Sequence, residues 1–155
     1  MGKIITDKDL SSVIKELREN KKKIVATNGC FDILHIGHVR YLKKAKALGD
    51  VLIVAVNSDK STRELKGPSR PINSQNDRME ILSSLTCVDY VILFDKISPV
   101  DLLLEIKPDI YAKGGDYTIE SLPEAKAILS YDGKVELIDF VDGKSTTNLI
   151  NKINN

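Results

Sequence analysis

The sequence predicts an α/β fold: a Rossmann-like, open, mostly parallel five-stranded sheet with helices on both faces. Three observations predict it. Short apolar runs of strand type alternate with helical segments from residue 23 to the end of the chain. The run "VLIVAVN" (51–57) is apolar up to its last residue, as a parallel strand covered on both faces requires. The segments after four of the runs are polar or glycine-bearing, and an open α/β sheet binds ligands beyond the carboxyl ends of its strands, at the point where strand order reverses.

The elements follow in chain order. "DKDLSSVIKELREN" (7–20) places Leu10, Val13, Ile14 and Leu17 on one helical face. The first strand is "KIVAT" (23–27). A helix over "HVRYLKKAKALG" buries Val39, Leu42 and Ala45, with Gly49 as a left-handed C-cap. "VLIVAVN" is the second strand. Residues 57–73 form the one long irregular connection, and connections of that length in compact domains are usually functional. A helix over "SQNDRMEILSSL" and a strand over "VDYVILF" come next. "SPVDLLLEI" has Ser98 as N-cap and Pro99 at the first helical position, and Pro108 ends it. The strand "DIYAK", the helix "SLPEAKAILSY", the strand "KVELIDF" and the helix "STTNLINKI" complete the chain.

With 155 residues, 42% of them hydrophobic, the chain has the size of one domain with a core, spanning 1–155 with an opening helix at about 7–20 and the core at about 22–155. A net charge of +1 provides no global field for nucleic acid or an anionic membrane, and 5% aromatic residues with no Trp do not suit a nucleic-acid module. No apolar run approaches the ~20 residues that cross a bilayer, and "MGKIITDKDL" has no signal-peptide core. The expected location is the cytoplasm. Cys30 and Cys87 form no CxxC and read as reduced thiols.

The chain's only two histidines, His35 and His38, fall in "NGCFDILHIGH" (28–38), between the first strand and the next helix. At i and i+3 both rings share one side of a helix start, where free N–H groups and the helix dipole favour an anion. Beside a triphosphate their pKa values are expected to rise, giving two imidazolium donors. Gly37 between them allows a turn or a close approach. Two other readings compete: a partly buried pair with no task, and a zinc site with Cys30. The C-x4-H-x2-H spacing of Cys30, His35 and His38 matches no familiar closed zinc site, and no fourth ligand presents itself. "DGKSTT" (142–147) imitates the end of a P-loop, but Ile138 stands where that motif needs glycine. Its hydroxyls still open the last helix, where they cap it or hold a phosphate. "KGGDY" (113–117) reads as a glycine turn or, placed after a strand, as a nucleoside contact through Asp116. Arg63, Lys66 and Arg70 in the long loop, with Arg78 near the next helix start, either close over phosphates or remain solvated. Lys21 to Lys23 read as surface.

These motifs resemble a known family. "GCFDILHIGH" is similar to the G-x-F-D-x-x-H-x-G-H signature of cytidylyltransferase-like nucleotidyltransferases, and "STT" to their second signature. Together with "VAVNSD", "LKGPSRPIN", "KGGDY" and "FVDGKSTT", nearly the whole chain resembles the adenylyltransferase domain of bacterial heptose kinase/adenylyltransferases. In many relatives that domain is fused behind a sugar kinase, and here it is expected to stand alone. The resemblance implies transfer of AMP from ATP to D-glycero-D-manno-heptose 1-phosphate, with Mg²⁺ carried by the nucleotide phosphates and no metal ligands from the protein. It implies His35, His38 and Lys66 as catalytic residues. Thr27, Asn28, Gly29, Cys30, Phe31, Gly37, His38, Gly115, Asp116, Ser145 and Thr146 would bind nucleotide, and Asp32, Asn57, Asp59 and Arg78 the acceptor side. Relatives of this kind commonly form homodimers. The related glycerol-3-phosphate cytidylyltransferases, which use CTP, carry an arginine where this chain has Phe140 and an isoleucine at Lys144; this argues against that alternative and leaves open which cation replaces the arginine. A reading from another class, a nucleotide-binding sensor without turnover, has no chemical need for His35, His38, Lys66 and Ser145 together.

Overall fold

The computed structural model describes residues 1–115, 117–139 and 144–155. Its sheet has six parallel strands in the order β1-β4-β3-β2-β5-β6: β1 Lys3–Ile5, β2 Ile24–Gly29, β3 Val51–Asn57, β4 Tyr90–Phe94, β5 Ile110–Gly114 and β6 Lys134–Ile138. The helices are α1 Asp7–Glu19, α2 Ile36–Lys46, α3 Asp59–Lys66, α4 Gln75–Ser83, α5 Val100–Ile106, α6 Pro123–Leu129 and α7 Thr146–Asn154.

β3 is buried along its whole length, and its residues alternate between two cores as the pleat dictates. Leu52, Val54 and Val56 pack with Leu42 and Ala45 of α2 and Met79 and Leu82 of α4. Val51, Ile53 and Ala55 pack with Leu10 and Leu17 of α1 and Leu102 and Ile106 of α5. Helices therefore cover both faces. A third cluster joins Ala26, Leu103, Tyr111 and Ile128, seating α6 beside β5. No helix among the described residues is long and apolar enough to cross a membrane.

The structure departs from the sequence expectation at four places. The sheet gains β1 at its edge, three residues with only Ile5 buried, too short for a periodicity to register. The long connection after β3 contains α3. Its inward residues are Ser61 and Thr62, so it lacks the apolar stripe by which amphipathic helices are recognised. Ser58 caps it, its Oγ accepting from the Ser61 N–H at 3.1 Å. Helix α5 begins one residue later than expected: Pro99 is the N-cap, and the Ser98 hydroxyl accepts from the Val100 N–H at 3.3 Å. Gly49 is not a left-handed cap. A Cβ there would lie 2.8 Å from Val25 Cγ2 and 2.9 Å from the Lys23 carbonyl oxygen, so glycine is needed for the approach of the α2–β3 turn to β2.

Sheet order positions the site. From β2 the chain builds outward through β3 and β4 on one side and later through β5 and β6 on the other. The reversal falls between β2 and β5, where a crevice opens at the strand ends. Tyr41 of α2 spans its floor: its hydroxyl donates to the Ala112 carbonyl at 2.9 Å and meets Thr27 Oγ1. Burial pushes the Tyr41 hydroxyl up to about 12, so it remains a neutral strut.

Candidate active site

The crevice is a cavity of about 650 Å³, within the range of small-molecule sites. Its wall takes residues 28–32 at and beyond the end of β2, His35, Gly37 and His38 at the start of α2, Asn57 at the end of β3, Lys66 at the end of α3 and Arg70 from the loop that follows. Lys113 and Gly114 at the end of β5, Tyr117, Glu124 and Lys144–Thr147 complete it. The four strand-end segments that the sequence singles out thus share one cavity.

The histidines are arranged by the α2 N-terminus. His35 is the N-cap in extended conformation, and its Nδ1 accepts from the Gly37 N–H at 3.0 Å. His38 Nδ1 accepts from the His35 N–H at a longer 3.4 Å. The rings stack with centroids 3.9 Å apart, and Phe31 flanks His38 at 5.4 Å. A neutral imidazole with Nδ1 accepting carries its proton on Nε2, so both rings have one donor left for a ligand. A Cβ on Gly37 would meet the His35 ring at 2.8 Å and Lys144 Cβ at 3.3 Å, so the space at Gly37 is filled by His35 itself. Phe31 has φ 48°, an unusual backbone for an aromatic residue, held where strand gives way to the histidine segment.

Without a phosphate the pKa values move opposite to the expected rise. Burial lowers His38 to about 4, with a smaller contribution from the neighbouring His35. His35 is also lowered, by burial and then by Lys144. Two stacked rings in a partly buried wall resist charging until an anion arrives. A His held below its unfolded value leaves the unfolded chain binding more protons, so stability rises with pH. We predict that the ligand-free protein loses stability as pH falls from about 6.5 toward 4. A His38→Gln variant should lose less over that window. Thermal melts at pH 7, 6 and 5 for both proteins test this; parallel curves refute it. Nuclear magnetic resonance titration should find the His38 pKa higher with ATP than without.

The loop is tied by Asp32, whose side chain is fully buried. Its carboxylate accepts from Arg70 Nε at 2.6 Å and from the N–H groups of Ile72 and Asn73 at 2.9 Å. Burial alone would raise its pKa, but the Asn73 and Ile72 N–H groups and the Arg70 guanidinium outweigh burial and hold it below the usual carboxylate range. Asp32 thus holds Arg70 at the cavity wall.

Thr27, Asp59 and Arg78 stand behind the wall. Thr27 is buried on Tyr41. Arg78, expected on the acceptor side, is buried and gives its donors to the protein: Nε to Asn73 O at 3.0 Å, Nη1 to Cys30 O at 2.6 Å and Asn57 O at 2.8 Å, and Nη2 to Asp59 Oδ1 at 2.8 Å. It ties the ends of β2 and β3 to the loop rather than facing the cavity. Gly115 has φ 109° and donates to the Ile138 carbonyl at 3.3 Å. Asp116 and Phe140 lie outside the described residues. Ser145 caps α7, accepting from the Asn148 N–H at 3.0 Å, and Thr146 donates its hydroxyl to the Ile33 carbonyl at 3.1 Å, docking α7 against the histidine segment.

Sequence reasoning misses Tyr41, Glu124 and Lys144 as wall residues. Tyr41 lies at i+3 from His38 on the same helical face, a signal present in the sequence. In sequence Lys144 is a mismatch to the cytidylyltransferase pattern and Glu124 an ordinary helix residue, since only the packing of α6 and α7 brings them to the wall.

Fold and wall together define an α/β domain with a cavity at a strand-order reversal, lined by a histidine pair and by lysines from three segments. Residues 26–147 match the model of the Cytidylyltransferase-like family, and the chain belongs to that family. It is 52% identical over 152 residues to the Bifunctional protein HldE of Syntrophotalea carbinolica, a match covering 98% of this chain and 31% of that protein. It is 51% identical over 144 residues to the protein of the same name from Geobacter metallireducens, covering 93% and 29%. The crystal structure of the lipopolysaccharide core biosynthesis protein from Thermoplasma volcanium matches with a TM-score of 0.63 and 34% identity, over 77% of this chain and 97% of that one. The chain spans roughly 30% of the length of the curated relatives it matches.

Proposed function

We propose that the chain is a cytoplasmic adenylyltransferase that moves AMP from ATP to D-glycero-D-manno-heptose 1-phosphate, giving ADP-heptose and pyrophosphate. The observation that carries the reading is the stacked His35–His38 pair, each ring fixed with Nε2 as donor, facing the same cavity as Lys66 and Lys144. Near-50% identity to HldE proteins over nearly the whole chain supports the substrate pair.

An oxygen of the sugar phosphate attacks the α-phosphorus of ATP in line, the bond to the β-phosphate oxygen breaks, and pyrophosphate leaves. A phosphate monoester is already largely ionised at neutral pH, with its second pKa about 6, so no general base is needed. The protein positions the reactants and neutralises charge. The histidines and the α2 N-terminus hold the triphosphate, with Lys66 at the end of α3, Arg70 from the loop, and Ser145 and Thr146 at the start of α7 in the same cavity wall. No three His, Cys, Asp or Glu side chains cluster as a metal cage among the described residues. The donor set suits Mg²⁺ bound to phosphate oxygens and its own waters, where it would draw off charge from the transferring group.

Lys144 supplies the cation that the arginine of the cytidylyltransferase pattern would have supplied. It lines the cavity, and its charge is felt by His35. Lys144→Ala should raise the KM for ATP roughly tenfold, the scale of one charged hydrogen bond, and raise the pKa of His35. An unchanged KM would remove Lys144 from the phosphate site. Pyrophosphate release across four nucleoside triphosphates and a panel of sugar and polyol phosphates tests the function. The expected result is turnover with ATP and heptose 1-phosphate above every other pair; preference for CTP with glycerol 3-phosphate would replace the proposal, and binding without turnover would favour a sensor.

A further inference from the structure

Among the described residues, one buried polar atom of the cavity wall has no hydrogen-bond partner. Glu124, at the second position of α6, is buried, and its Oε2 is the buried side-chain oxygen or nitrogen without a hydrogen bond among the described residues. Leaving such an acceptor unsatisfied costs stability, and native proteins keep one where a ligand completes it. The surroundings say what kind of ligand. Lys113 is near enough to feel Glu124 electrostatically, yet no ion pair forms between them; its Nζ instead stands over the Tyr117 ring, 5.6 Å from the centroid. Pro123, Tyr117 and Gly114 give this end of the cavity an apolar and aromatic wall. The phosphate-binding groups, His35, His38 and the α7 start, come from other elements, and a carboxylate beside a phosphate would repel it.

We propose that Glu124 is a specificity residue that accepts a hydrogen bond from an uncharged donor, a hydroxyl or an exocyclic amine, on the non-phosphate part of a bound substrate. The proposal rests on the nucleotidyltransferase reading of this cavity. It makes α6 a selector of substrate, apart from the charge-handling residues of α2 and α7. Because the empty protein carries the unsatisfied oxygen, removing it should not weaken the fold.

The test compares the whole chain with Glu124→Gln and Glu124→Leu. Calorimetry measures the binding of ATP and of heptose 1-phosphate separately, and pyrophosphate release measures kcat and both KM values. The expected result is a loss of affinity of tenfold or more for one ligand, with the other unchanged, kcat within about twofold, and a melting temperature at or above that of the unsubstituted chain. Analogues distinguish the source. If the donor is on the nucleotide, a purine nucleotide lacking the 6-amino group or a ribose hydroxyl binds the two proteins equally; if it is on the acceptor, a deoxy sugar phosphate does. Unchanged affinity for both ligands overturns the proposal, as does a large fall in melting temperature, which would make Glu124 structural. An unsubstituted chain that binds ATP and the sugar phosphate but releases no pyrophosphate sinks the transferase reading alone, and the calorimetric comparison still decides Glu124. Failure to bind either ligand overturns both.

Discussion

Replacing His38 with alanine is expected to slow turnover by roughly 10²- to 10³-fold, a loss of about 3 to 4 kcal/mol of transition-state stabilisation. The magnitude follows from what the ring can do in this wall. Its Nδ1 accepts from the His35 N–H, so Nε2 is the donor in the neutral form. Burial holds that form at neutral pH in the empty site, with the pKa lowered to about 4. As charge shifts from the attacking oxygen toward the leaving pyrophosphate, a fixed donor in a partly desolvated wall gains more than a mobile water would. The effect should therefore fall mainly on kcat, with a smaller rise in the KM for ATP, because ground-state phosphates keep their contacts with the lysines and α7. His38→Gln, which retains an N–H near the same place, should recover part of the loss. His35→Ala combines a contact loss with the loss of the N-cap that accepts from Gly37, so its melting temperature should drop as well. Steady-state pyrophosphate release checks all three, and near-normal turnover of His38→Ala would remove His38 from the chemistry.

How much of this is legible in sequence depends on the length scale of each signal. The buried strands are legible because a continuous apolar run such as 51–57, too short for a buried helix, fits little besides a parallel strand covered on both faces. The convergence of strand-end segments follows from parallel topology alone. Helix α3 is not legible, since it packs on Ser61 and Thr62 and its one large apolar residue, Leu65, is 46% exposed beside the cavity. β1 is too short. The histidine pair falls on the α2 start as expected, yet its charge state when empty is not legible, because that depends first on burial in the folded wall, and then on the contact between the two rings and on Lys144, which is 106 or more positions away in the chain. Arg78 and Asp32 show the same limit. A charged residue near a functional loop reads as a ligand contact, and only the structure reveals the bonds it makes within the protein: Arg78 to three carbonyls and Asp59, and Asp32, still in the cavity wall, to Arg70 and two backbone N–H groups.

Arg78 makes the second large prediction, on stability rather than chemistry. Its side chain has no exposure, and its guanidinium joins the carbonyls of Cys30, Asn57 and Asn73 and the carboxylate of Asp59. Arg78→Leu would leave the carbonyl oxygens of Cys30 and Asn73 unpaired near the site and that of Asn57 with only the Thr62 hydroxyl at 3.5 Å, at about 1 to 3 kcal/mol for each oxygen that finds no water. Asp59 is 34% exposed and can turn to solvent, so its share is discounted. A net loss of about 3 to 5 kcal/mol is expected, which lowers the melting temperature by about 10 °C or more for a domain of this size. Arg78→Lys should recover little, because one ammonium cannot reach acceptors lying on three segments. The guanidinium does not face the cavity. At a temperature where the variant remains folded, the KM for ATP should therefore rise less than tenfold, and the acceptor KM should rise only as far as the loop loosens. A variant that melts like the unsubstituted protein but loses its affinity for the sugar phosphate would return Arg78 to the substrate, where the sequence alone places it.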